Sequence, residues 1–149
     1  MLTWAELEEA TPEIAAHGRK LLERDQFAFF GTLAKDGSPR VNPAETHIID
    51  GHLLTNMMPR SLKALDLLRD PRLYLHTAVA TKGGTEGEFK LAGRAIAVDD
   101  GALRQRLDDL FWQMINWRPD PDSHYFEVRA TRAAYHRYGD EEVALRWRA

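Results

Sequence analysis

The sequence predicts an antiparallel α+β barrel with flanking helices, and three observations carry that prediction. Two Asp-Gly pairs mark tight hairpin turns, strand-like segments fill most of the chain after residue 26, and helical periodicity is confined to four stretches. A doubly wound parallel sheet would instead need strands and helices in regular alternation. One domain spanning residues 1–149 is expected, with a helical N-terminal segment over about 1–25, since a chain of this length buries a core without staples.

Thr3 and Glu6 have the spacing of a capping box, and Thr11-Pro12-Glu13 opens a second helix with proline at its first position. In that helix Ile14, Leu21 and Leu22 fall at i, i+7 and i+8, one apolar stripe running to about Arg24. From Phe27 the run Phe-Ala-Phe-Phe-Gly-Thr-Leu-Ala reads as a first strand closed by Lys35-Asp36-Gly37-Ser38. A second strand is expected from about Pro39 to Ile49, and Asp50-Gly51 turns it into a third, His52 to Asn56, which makes a three-strand meander. Ser61 caps a helix carrying Leu62, Leu65 and Leu68 on one side, and Asp70-Pro71 ends it. Arg72 to Thr77 is a fourth strand, Ala80 to Gly87 a glycine-rich loop, and Glu88 to Val98 a fifth strand. Asp99-Asp100-Gly101 opens a long helix with Leu103, Leu107, Leu110, Phe111 and Met114 at helical spacing. A sixth strand, Tyr125 to Tyr138, and a short terminal one, Val143 to Trp147, complete the chain.

Composition narrows the function. The chain has no cysteine, so disulfides, thiolate metal sites and thiol nucleophiles are excluded together. A net charge of −3 argues against nonspecific nucleic-acid binding, which needs many phosphates neutralised. The acidic start Met1-Leu2-Thr3-Trp4-Ala5-Glu6 does not read as a signal peptide, and no apolar run is long enough for a membrane span, so the expected location is the cytoplasm, away from the membrane. No Gly-x-Ser-x-Gly elbow and no His-Glu-x-x-His motif occurs. His47 and His52 flank an Asp-Gly turn without ligands at metal-binding spacing, so no metal site is expected.

The chemistry-bearing segment is Asn56-Met57-Met58-Pro59-Arg60-Ser61-Leu62-Lys63. It sets Arg60, the Ser61 hydroxyl and Lys63 around a helix N-terminus, where free amides and the helix dipole favour an anion. Arg40 lies one hairpin earlier as a further cation. Such a set suits a phosphate monoester, and it equally suits a simple N-cap with solvated cations.

On four ordered segments the chain resembles the pyridoxamine 5′-phosphate oxidase-like, FMN-binding split-barrel superfamily. These are Gly31-Thr32-Leu33 with Asp36-Gly37-Ser38-Pro39-Arg40-Val41; Gly51 to Thr55; Ser61-x-Lys63 with Leu68-x-x-Asp70-Pro71-Arg72; and Gly87 to Ala95, ending Gly93-Arg94-Ala95. The resemblance implies a split β-barrel, a homodimer with cofactor sites at its interface, and an FMN-dependent oxidoreductase acting on a small molecule. It implicates Ser61, Lys63 and Arg60 at the FMN phosphate, and Arg40, Val41, Asn42 and Pro43 beside the flavin ring. Thr55 and Asn56 match a Thr-Asn pair that precedes the phosphate cluster in the oxidase. The chain departs from the oxidase at Leu62, where the oxidase has Arg, and at Glu88, which replaces a cofactor-contacting Gln. Its ending, Tyr135-His136-Arg137-Tyr138-Gly139, differs from the Arg-x-His element that grips pyridoxal phosphate, which argues against vitamin B6 oxidase activity. Relatives use the deazaflavin F420 or haem instead of FMN, and some are binding proteins without turnover. No catalytic side chain is assigned, because flavin chemistry asks the protein mainly for binding and orientation. Trp112 and Trp117 are expected in core or dimer packing, with the ligand pocket as the other use for them.

Overall fold

The computed structural model describes residues 1–149. Helix α1 (Trp4–Ala10) starts at the Thr3 capping box, with the Glu6 amide donating to Thr3 Oγ1 and the Thr3 amide donating to Glu6 Oε2. Helix α2 (Pro12–Asp25) follows with proline at its first turn and buries Ile14, Ala15, Leu21 and Leu22. The chain then alternates tight turns and strands: β1 (Phe27–Leu33), β2 (Pro39–Glu45), β3 (His47–Ile49) and β4 (His52–Met57). Helix α3 (Leu62–Arg69), β5 (Arg72–His76), β6 (Glu88–Ala97), helix α4 (Gly101–Ile115), β7 (His124–Arg137) and β8 (Val143–Arg148) complete it.

All strand pairs are antiparallel, in the order β2-β1-β5-β6-β7-β4-β3, with β8 also pairing with β7. The sheet curls into a split half-barrel with four flanking helices, the α+β architecture the sequence predicts. The main core fills its concave side, where Trp4, Phe30, Phe89 and Leu91 are at most 1% exposed. A smaller cluster of Leu54, Val98, Leu107, Phe111 and Tyr125 seats α4 on the other face of β4 and β7. No helix is long and apolar enough to cross a membrane.

Two expectations of the sequence need correction. The continuous second strand breaks at Thr46 into β2 and β3, giving eight strands rather than seven. The meander therefore does not form: β1–β2 and β3–β4 are separate hairpins at opposite ends of the sheet order, joined by Thr46 alone. The physical reason is closure. A strand that must serve both rims of a curled sheet has to change direction between them, and the Thr46 amide leaves the ladder to donate to the Gln26 carbonyl at 3.1 Å. Helix α3 carries Leu62, Leu65 and Leu68 on one side as expected, and that stripe is exposed while Ala64, Asp66 and Leu67 are buried. Asp66 takes an inward place there because β1 and β2 offer it hydrogen-bond donors.

Candidate functional site

The two rims of the split carry the residues singled out in the sequence. β2 has a neighbour on its β1 side only. On the other rim β3 stops pairing at His47 with Leu54, so Thr55, Asn56 and Met57 of β4 are paired only to Phe126, Tyr125 and His124 of β7. β2 approaches β4 across this seam, and the β4–α3 turn follows directly. The three buried side-chain polar atoms that lack a partner, Thr46 Oγ1, Thr55 Oγ1 and Asn56 Nδ2, belong to the β2–β3 joint and to β4.

Alternation along the strands sorts the rim residues by face. Arg40 and Asn42 stand opposite the buried Thr32 and Phe30, whereas Val41 and Pro43 stand opposite Gly31 and Phe29 on the outer face, where Val41 is 68% exposed. On β4, Thr55 shares the core side with Leu53 and Met57 and is fully buried, while Asn56 is half-buried on the opposite face. Thr55 can therefore reach a ligand in the seam only through its backbone.

Arg60 lies in the left-handed region with φ +62°, uncommon for a residue other than glycine, and turns the chain into the helix. Ser61 is the N-cap, its Oγ accepting from the Ala64 amide at 3.3 Å, so its own hydroxyl proton stays free to donate. The Leu62 and Lys63 amides have no protein acceptor, and the Lys63 ammonium and Arg60 guanidinium have no carboxylate partner. Two amides, a hydroxyl and two cations thus converge on one turn, the donor set of a phosphate site.

Arg40 is tied to this turn from the other rim. Its Nε donates to Asp66 Oδ2 at 2.7 Å, and Asp66 also accepts from Thr32 Oγ1 at 2.8 Å and from Arg69 Nη2 at 3.1 Å. Burial alone would push the Asp66 carboxyl up, but the hydrogen bonds from Arg40, Thr32 and Arg69 hold it below the usual carboxylate range. Only Nε of Arg40 is used in this pair, and the residue also lines an open hollow of about 540 Å³ at the β1–β2 turn with Lys35, Asp36 and Ser38. Asp66 was missed in the sequence because it sits among leucines. Its spacing after Lys63 in a helix whose other polar residues are basic was the available signal.

The two tryptophans lie elsewhere: Trp112 is stacked under Arg118 at 5.0 Å, and Trp117 lies edge-on to Phe111 at 5.5 Å. Glu88 is bound by Lys90 on the outer face of β6, and His76 lies 3.6 Å from it.

Comparison with known proteins supports the fold and identifies the family. In fold the chain is similar to a heme binding protein from Mycobacterium smegmatis, with 15% identity and a TM-score of 0.70 over 90% of this chain and 58% of that one. It is also similar to a Clostridium acetobutylicum protein related to general stress protein 26 of B. subtilis, of the pyridoxinephosphate oxidase family, with 16% identity and a TM-score of 0.65 over 87% and 92% of the two chains. A NimC/NimA family protein from the same organism gives 14% identity and a TM-score of 0.66 over 89% and 91%. No curated protein matches the sequence. The family profile of pyridoxamine 5′-phosphate oxidase matches residues 14–137, most of the chain, and the protein therefore belongs to that oxidase-like family.

Proposed function

We propose that this protein is an FMN-dependent oxidoreductase acting as a homodimer, with the flavin in the seam between β2 and β4 and its phosphate on the first turn of α3. The observation that carries this reading is the unpaired donor set of Arg60, Ser61, Lys63 and two free amides at the end of a seam bounded by a free strand edge. A phosphate dianion answers those donors at once. The open edge of β2 offers unpaired backbone groups to a flat heteroaromatic ring, and the prolines at 39 and 43 are tolerated there because an edge strand need not donate at every position. Asn56 Nδ2, buried without an acceptor, supplies one more donor beside the seam.

When bound, flavin supplies hydride transfer to and from a small organic substrate. The side chains hold and orient it. Asp66 fixes Arg40 from behind, and Arg60, Ser61 and Lys63 anchor the phosphate. The exposed apolar patch of Phe29, Val41 and Tyr74 on the outer face is what a second copy would cover, excluding water from the ring.

Haem is the competing reading, favoured by the heme-binding neighbour in fold. Against it, residues 39–43 and 55–63 hold no histidine, cysteine or tyrosine as an axial ligand, and of the two methionines there Met57 is buried in the core, which leaves Met58 as the one accessible haem-ligand type. The absorbance spectrum of the purified protein after incubation with FMN, F420 or haemin, followed by desalting, decides between them. Retention of a flavin spectrum is the expected result. An intense haem band, or retention of F420 alone, would overturn the proposal.

A further inference from the structure

Helix α2 packs against β6 and β7, and a cleft of about 280 Å³ opens between it, β7 and the glycine-rich loop that precedes β6. His17, Lys20 and Arg24 recur at i, i+3 and i+7, which puts them on one face of α2 as one wall of the cleft. Tyr135 and Arg137 stand two apart on β7, so they point to the same side of that strand and form the other wall. None of these residues belongs to the seam between β2 and β4.

Tyr135 is 3% exposed, and its ring lies flat against that of His17 with 3.9 Å between centroids. Its hydroxyl has no hydrogen-bond partner in the protein, whereas the other buried tyrosine, Tyr125, donates to Asp108 at 2.6 Å. A phenol oxygen at that depth calls for a partner, and the cleft is the one direction from which it can come. The loop keeps that approach clear: Gly87 lies at φ +86°, and a Cβ on it would overlap the Tyr135 hydroxyl.

The charges around the hydroxyl are unequally answered. Arg24 is held in a two-pronged pair by Asp25, with both contacts at 2.7 Å. Lys20 has no carboxylate within ion-pair distance, since Glu23, one turn further on, is taken by Arg19 at 3.0 Å. Arg137 has only Glu141, 4.0 Å away and almost wholly exposed. Glu86, which also lines the cleft, is turned back onto its own loop, where it accepts from the Ala80 and Thr81 amides and from Thr81 Oγ1. Its own amide and these donors hold its carboxyl at about 2, so it remains an anion committed to the loop. One free cation therefore stands on each wall, with an unpaired hydroxyl donor between them.

We infer that this cleft binds a small aliphatic dicarboxylate, with one carboxylate toward Lys20, the other toward Arg137, and the Tyr135 hydroxyl donating to it from below. Cations set on two separate walls answer two separated negative groups better than one compact anion. The volume lies at the bottom of the range of small-molecule sites and suits a ligand of about ten non-hydrogen atoms, far smaller than a flavin. The site stands independently of the flavin reading.

Calorimetric titration with glutarate tests it, with butyrate, which lacks one carboxylate, and inorganic phosphate as partial probes. Saturable binding of glutarate is expected, with each partial probe roughly tenfold weaker or more. Lys20→Ala and Arg137→Gln should each weaken glutarate about tenfold. Tyr135→Phe keeps the ring against His17 and removes only the oxygen, so it should weaken glutarate about fivefold while the free variant melts no lower than wild type. Lys63→Ala, which strips the proposed flavin phosphate site, should leave this titration unchanged. No saturable binding up to about 10 mM, unchanged affinity in any of the three cleft variants, or loss of binding in Lys63→Ala would each overturn the assignment. Butyrate or inorganic phosphate binding as tightly as glutarate would overturn the claim that two separated carboxylates are recognised.

Discussion

At Lys63 an ammonium without a carboxylate partner sits one residue into a helix whose first amides are also free. Removing it should leave the fold intact and take away one charge-assisted contact, worth about 1.5–3 kcal/mol. Lys63→Ala is therefore expected to weaken FMN binding roughly 10- to 100-fold and riboflavin binding little, read by flavin fluorescence. An equal loss for both ligands would point to a general disturbance of the seam. Asp66 acts one step back, through the guanidinium it holds. Its folded-state acidity is enhanced, so it contributes stability above the ordinary aspartate range and loses that contribution as pH falls through about 4 and below. Asp66→Asn should lower stability by roughly 1–3 kcal/mol at neutral pH and flatten the acid side of the stability profile. Thermal melts between about pH 3 and pH 7 check both effects. An unaltered acid limb in the variant would mean that other carboxylates govern it. The phosphate-type donors were legible in the sequence because capping, charge and spacing are local properties. The Asp66–Arg40 pair was not, since it joins residues 26 positions apart through a fold that local pattern cannot supply.

Among the elements, the turns and caps were the most readable, because Asp-Gly pairs and the Thr3 and Ser61 caps demand particular backbone geometry wherever they occur. The division between β2 and β3 escaped because Glu45-Thr46-His47 is compatible with an unbroken strand, and only the closure of the sheet requires the break. The leucine stripe of α3 was legible as a face but not as a surface: periodicity shows that a face is apolar, not what covers it. Gly93 illustrates a motif residue with a purely geometric role. It lies where the β6–β7 register shifts, and a Cβ placed on it would come 2.0 Å from the Arg129 carbonyl oxygen. Gly93→Ala should cost roughly 1–3 kcal/mol by forcing these backbones apart. Calorimetric melting should show a drop of several degrees. An unchanged melting temperature would show that β6 bends away freely.

For the molecule as a whole, the apolar patch of Phe29, Val41 and Tyr74 needs an explanation that one copy does not give. A two-fold dimer buries such a surface against itself. Sedimentation at micromolar concentration should give twice the protomer mass, and Phe29→Glu, which puts a charge into the patch, should shift it to a folded monomer with weakened FMN affinity. A wild-type protein that sediments as a monomer would remove the dimer. The one-residue joint at Thr46 bears on kinetics as well as shape. Its two hairpins are local and form on the microsecond scale; β1–β2 docks on β5, but the β3–β4 rim is set in place only when β7 arrives, as in the His52–Glu127 contact across 75 residues. Closure of the seam is then the last and least protected event of folding, and its reversal the first local opening of the native state. Amide exchange should therefore run faster at Thr55, Asn56 and Met57 than along the β6–β7 ladder, and that same breathing would be the door through which a flat cofactor enters and leaves.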